Sequence, residues 1–108
     1  MKVSEMIEKT GFKTVYSGED REVHGVYCGD LLSWVMGNGR PEQAWITVQS
    51  HLNVIAVAVL REFSCIVLAE NAEFPEEVIE RAKNEGLTLL YSDLPVYETA
   101  VRLFKAGV

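Results

Sequence analysis

From residue 44 onward the sequence alternates between short apolar runs of strand composition and segments with helical periodicity. This alternation constrains the fold more than any other feature of the chain. Ala44-Trp45-Ile46-Thr47-Val48, Cys65 to Ala69 and Leu87 to Tyr91 read as strands. Pro75 opens a helix with Glu76 and Glu77 in its first turn, Val78, Ile79 and Ala82 facing inward, and Gly86 after its end. Ser92-Asp93-Leu94-Pro95 starts a last helix, in which Val96, Ala100, Val101 and Phe104 repeat at helical spacing. Leu52 to Glu62 is ambiguous, because its β-branched content favours a strand and its length a helix. The polar start Ser50-His51-Leu52-Asn53 decides for a helix that is apolar almost all round. The resulting order β-α-β-α-β-α, with short loops, predicts a small three-layer α/β domain with a mainly parallel sheet flanked by helices. The runs Ile66-Val67-Leu68-Ala69 and Leu87-Thr88-Leu89-Leu90 suit parallel strands covered on both faces.

The first 43 residues are less regular. Ser4 is expected to cap a helix over residues 4–10 that Gly11 ends. Phe12 to Tyr16 and Val23 to Cys28 read as strands around the polar turn Ser17 to Arg21, where Asp20 and Arg21 can form an exposed ion pair. Asp30 is expected to cap a helix from Leu31 to Met36, and Gly37-Asn38-Gly39-Arg40-Pro41 is a loop. No linker or repeat divides the 108 residues, so one domain, residues 1–108, is expected.

Composition narrows the function classes without naming one. With 48% hydrophobic and 24% charged residues the chain has globular proportions, which excludes disorder. Sixteen acidic against ten basic residues give a net charge of −6, which argues against nucleic acid. The longest apolar run, Val54 to Leu60, is far too short to cross a membrane, and the charged N-terminus is unlike a signal peptide. No membrane partner is expected, and the protein is placed in the cytoplasm. Cys28 and Cys65, widely separated and in strand-like surroundings, are expected as reduced, mostly buried thiols.

In open α/β sheets ligands gather beyond the carboxyl ends of the strands. Those ends carry Asp30 and Ser33, then Gln49, Ser50, His51 and Asn53, then Glu70 and Asn71, then Ser92 and Asp93. Asp30, Ser33, Gln49, His51 and Asn53 are the candidate ligand-binding residues, although Asp30, Ser50 and Asp93 are also what helix N-caps require. A His base beside amide donors can serve acid–base chemistry on a small phosphorylated or acyl substrate. An anionic substrate needs a local positive patch in so acidic a chain, and Arg21 and Arg40 are the nearest candidates. His24, beside Gly25, reads as structural. Two scattered histidines and two scattered cysteines supply no metal-ligand spacing, so neither a metal nor a cofactor is expected. No phosphate-binding loop of the G-x-x-x-x-G-K-[ST] type is present. Trp34 and Met36, in a short helix, are the candidate interface residues.

The stretch Asp20-Arg21-Glu22-Val23-His24-Gly25-Val26-Tyr27-Cys28-Gly29-Asp30-Leu31-Leu32-Ser33 resembles the opening of a DRTGG domain. Trp45 to Ala58, the more specific block, is similar to that family's central signature, and the likeness covers nearly the whole chain. Where the family name implies Thr-Gly-Gly this sequence has His24-Gly25-Val26, so one glycine remains. The resemblance implies an α/β fold like the N-terminal domain of HPr kinase/phosphorylase, without the kinase's phosphate-binding loop. It also implies a module of the kind found in some phosphotransacetylases, between the CBS domains of some pyrophosphatases, where it helps form a dimer, and in short stand-alone proteins. The family has no established catalytic residues, and none is carried over. The expectation is a non-catalytic regulatory or assembly module, a homodimer that binds a small ligand or a partner enzyme encoded nearby. The alternative is a small-molecule enzyme built around His51.

Overall fold

The computed structural model describes all 108 residues. The chain runs α1 (Val3–Thr10), β1 (Lys13–Tyr16), β2 (Val26–Cys28), α2 (Leu32–Asn38), β3 (Ala44–Thr47), α3 (Asn53–Leu60), β4 (Cys65–Leu68), α4 (Glu76–Glu85), β5 (Thr88–Tyr91), α5 (Val96–Ala106). The ambiguous segment from Leu52 is a helix, α3. The strand expected over Val23 to Cys28 is shorter, because only Val26 to Cys28 joins the ladder while Glu22 makes an isolated bridge to Lys2.

The five strands form one sheet in the order β1-β5-β4-β3-β2. β2 to β5 are parallel neighbours, and β1 closes the other edge antiparallel to β5. Because β2, β3, β4 and β5 are laid down in one direction, connections of one hand must put α2, α3 and α4 on the same face. Alternation along the strands confirms this layering. Trp45, Ile66, Leu68 and Leu89 join Val35, Val54, Ile55, Ala58, Val78 and Ala82 in one core beneath those three helices. Ala44, Ile46, Cys65, Val67 and Leu90 point the other way, to Val3 and Met6 of α1 and Leu103 of α5. The result is a three-layer α/β domain whose central strands β3 and β4 are buried at every position, as continuous apolar runs require.

Two glycines allow close approaches that hold this arrangement. A Cβ at Gly18 would lie 2.1 Å from the carbonyl oxygen of Gly86, so the turn after β1 can lie against the end of α4 only without a side chain. At Gly39 a Cβ would come within 2.4 Å of the Phe63 ring. Phe63 anchors the aromatic part of the three-helix core, 5.4 Å from Trp45 and 6.4 Å from Tyr27 between ring centres. Trp45 is fully buried, and its indole N–H donates to the Gly29 carbonyl at 2.9 Å.

Several expected caps are corrected. Ser4 does not cap α1; it lies within the helix, and its backbone N–H and hydroxyl donate to the two oxygens of Asp20 at 2.9 and 2.7 Å. Asp20 thus satisfies the helix start from sixteen residues away, and Arg21 pairs with Glu19 at 3.3 Å instead. Asp30 does not cap α2, whose first turn has no side-chain cap.

Candidate functional site

The carboxyl ends of β2 and β3 bring Asp30, Ser33, Gln49, His51 and Asn53 to one end of the sheet, all of them exposed. Three of the five side chains, those of Asp30, Gln49 and His51, are tied into local bonds. One Asp30 carboxylate oxygen accepts from the Thr47 hydroxyl and the Val48 N–H, both at 2.8 Å. The Gln49 amide donates to the Asp30 carbonyl at 3.2 Å. His51 Nδ1 accepts the Asn53 N–H at 3.1 Å, which occupies one of the first free donors of α3. In neutral imidazole that bond leaves Nε2 carrying the proton, so His51 faces solvent as a donor. Asp30 therefore clasps the β2–α2 loop to the end of β3, and His51, not the expected Ser50, supplies the side-chain acceptor at the start of α3. Arg21 and Arg40 do not reach this end of the sheet. Arg21 precedes β2 and donates toward the Phe63 carbonyl just ahead of β4, whereas Arg40 precedes β3.

The clasp has a second effect. It ties the head of α2, where Leu31 follows Asp30, to the end of β3, where the Val48 N–H donates to Asp30. Leu31 is 61% exposed, Trp34 one turn later is 66% exposed, and Val48 is 37% exposed. Leu31 stands just before the helix in extended backbone, and its carbonyl accepts the Trp34 N–H at 2.9 Å, so the two exposed apolar side chains lie close together at the head of α2. Met36 is not part of this apolar ridge. Two positions after Trp34, it turns inward and packs against the core with Leu32. Helical spacing carries this distinction, since residues two apart never share a face.

The thiols divide. Cys65 is buried, and the loss of water pushes its pKa up to about 12. Cys28 is exposed, contrary to expectation, at the end of an edge strand. Partial desolvation and the nearby Asp30 charge raise its pKa above the ordinary range. His24 is exposed as well, 3.0 Å from Glu42. Gly25, the glycine retained from the DRTGG pattern, has φ +91°, a conformation that L side chains seldom adopt.

A further concavity lies at the other carboxyl ends. α4 leaves β4 toward one face and α5 leaves β5 toward the other, which makes this the switch point of the sheet. A cleft of about 290 Å³ opens there, with Lys13, Glu73, Asp93 and Arg102 as its charged lining. The chain closes its floor with backbone bonds from Glu70 N–H to Leu94 and from Asn71 N–H to Ser92. Sequence reading placed Asn71 and Asp93 at strand ends but had no strand order with which to locate the switch point. No helix is long and apolar enough to cross a membrane.

The order of strands, the single antiparallel edge and the three helices on one face define a DRTGG-like α/β fold. The chain superimposes, with a TM-score of 0.74, on the crystal structure of the CBS and DRTGG domains of the regulatory region of Clostridium perfringens pyrophosphatase complexed with an activator, diadenosine tetraphosphate. The match covers 96% of this chain at 10% identity, and 46% of that chain, so this domain spans about half the length of the structure it matches. Likeness at that identity is likeness of fold, and the fold is one that a regulatory region uses. No protein-family model matches the sequence, and no curated protein sequence matches it significantly.

Proposed function

We propose that the domain is a non-catalytic regulatory and assembly module of the cytoplasm that self-associates as a dimer and docks a partner enzyme or a small ligand. The observation that carries this reading is the exposed apolar pair Leu31 and Trp34 at the head of α2, which the Asp30 clasp ties to the strand end that bears Val48. Scattered single apolar residues are ordinary on a surface, but a clustered patch with an exposed tryptophan has the composition of an interface core. Trp is also over-represented among residues that dominate binding energy. The Asp30 clasp holds the ridge in place, which reduces the ordering cost of association.

The bonding of His51 supports the non-catalytic reading over an enzyme built on it, because a general base needs a free lone pair on the neutral ring. Asp30, Ser33, Gln49, His51 and Asn53 serve in this reading as the polar rim of the ridge, available to a partner or a small ligand. Sedimentation velocity on the wild type and on Trp34→Glu tests the assembly. The wild type is expected as a dimer at micromolar concentration and Trp34→Glu as a monomer with an unchanged circular dichroism spectrum. A wild type that stays monomeric throughout the micromolar range overturns the reading.

A further inference from the structure

We propose that the groove between α1 and α5 is a binding site for a small polyanion that carries an aromatic group, of the nucleoside triphosphate class. The groove lies across the sheet from the three-helix layer, so it is separate from the Trp34 ridge. Its volume is about 770 Å³, within the range of small-molecule sites.

The charge of its lining sets the ligand class. Acidic residues outnumber basic ones sixteen to ten in the chain, yet the groove collects Lys9, Arg102 and Lys105 against a single acid, Glu98. Arg102 and Lys105 have no carboxylate within ion-pair distance, and Glu98, one turn before Arg102 on α5, does not pair with it. Lys9 is engaged with Glu5 at 3.1 Å, and Arg102 reaches the Thr10 carbonyl with one nitrogen at 3.4 Å, which leaves its other donors free. A concavity with unpaired cations in a chain of net charge −6 is a local inversion of the field, which favours an anion. Arg supplies a planar fork suited to phosphate oxygens, and Lys a point charge.

Tyr97 gives the groove an aromatic surface. It lines the groove while 75% exposed, with a ring face free for stacking, and Leu94, Val101 and Ala106 provide apolar wall. Lys9 and Lys105 also occupy the last turns of α1 and α5, where positive charge complements the carbonyl ends. That role accounts for their helix positions but not for their convergence with Arg102 and Tyr97 on one cavity.

Titration calorimetry at low salt with ATP, tripolyphosphate and adenosine tests the site. ATP is expected to bind, tripolyphosphate to bind more weakly, and ATP affinity to fall as salt rises. Arg102→Gln and Lys105→Gln should each weaken ATP by about tenfold. Tyr97→Ala should weaken ATP by about tenfold and leave tripolyphosphate unchanged. Lys105 makes no hydrogen bond or ion pair, so Lys105→Gln reports on the ligand even if Arg102→Gln disturbs the contact with Thr10. Trp34→Glu should bind ATP as the wild type does, so this result stands or falls independently of the dimer. No ATP binding at millimolar concentration, equal affinity for ATP and tripolyphosphate, or affinity unmoved in both charge variants overturns the proposal. The last of these would leave Lys9 and Lys105 as helix-terminus charges alone.

Discussion

The two faces of the sheet are covered differently. Five strands spaced about 4.8 Å apart make a sheet that three helices at about 10 Å spacing can cover from edge to edge. On the face of α2, α3 and α4 that is what happens, and none of the surface concavities is lined by a residue of those helices. On the other face only α1 and α5 are available, and all three concavities lie against them or against the loops at their ends. The well-covered face is thus suited to presenting a ridge, as at Leu31 and Trp34, whereas the under-covered face is suited to holding a ligand. Helix count, set by where the last helix falls, decides which face can do which.

Truncation should therefore cost most on the three-helix face. Phe63→Ala removes the ring that joins Trp45 and Tyr27, in a core closed on every side, and should cost about 3–5 kcal/mol. Leu103→Ala, in the smaller core beneath α1 and α5, should cost about 2–3 kcal/mol, because cavities nearby let the site relax. Urea denaturation of both variants measures the gap, and an equal or reversed order would remove the distinction between the faces. A smaller loss is expected at the seam where the two faces meet. Gly18→Ala should cost about 1–3 kcal/mol, because the atom it would strike is backbone and cannot swing aside. A neutral Gly18→Ala would mean that the seam is looser than the packing implies.

The layered α/β architecture was legible because it depends on period and punctuation. Doubly buried β3 and β4 announce themselves as unbroken apolar runs, and Gly11, Gly86 and Pro75 bound their helices as local chemistry demands. What depended on contacts between distant residues was not legible. Asp20 caps α1 and Asp30 clasps β3, both across long loops, whereas sequence offered only adjacent capping by Ser4 and Asp30. The α1–α5 groove was hidden for the same reason, since Lys9 lies more than ninety residues from Arg102 and Lys105. Only the fold brings these charges together. Trp34 and Met36 are a different case, because helical spacing already separates them.

At the switch point between the faces, the buried hydroxyls of Ser92 and Thr99 lie 2.8 Å apart. The Leu94 N–H donates to Ser92 Oγ and Thr99 donates to the Leu94 carbonyl, so the pair fixes the turn that sends α5 to the far side. Ser92→Ala should cost about 1–2 kcal/mol by leaving Thr99 and the Leu94 N–H short of a partner. It should also weaken ATP binding modestly, because Leu94 lines the groove. A loss of stability with ligand affinity unchanged would show that the turn and the groove are not coupled.

The smallest effect concerns Asp20, which belongs to the under-covered face and is open to solvent. Hydrogen bonds from the Ser4 N–H and hydroxyl, with a lesser contribution from the Lys2 charge, hold its carboxyl below the ordinary value of 3.8. Those donors favour the ionised form in the folded protein only. As pH falls, the unfolded chain therefore takes up the proton first, and the contribution of Asp20 to stability is complete above pH 3.8 and lost as pH drops through the lower folded value. Asp20→Asn keeps an acceptor but no charge to titrate. The stability difference between wild type and Asp20→Asn should be constant at neutral pH and narrow below pH 3.8. Exposure keeps it small throughout. A difference that does not narrow on acidification would mean that α1 is held by the shape of the turn at Asp20 and not by its charge.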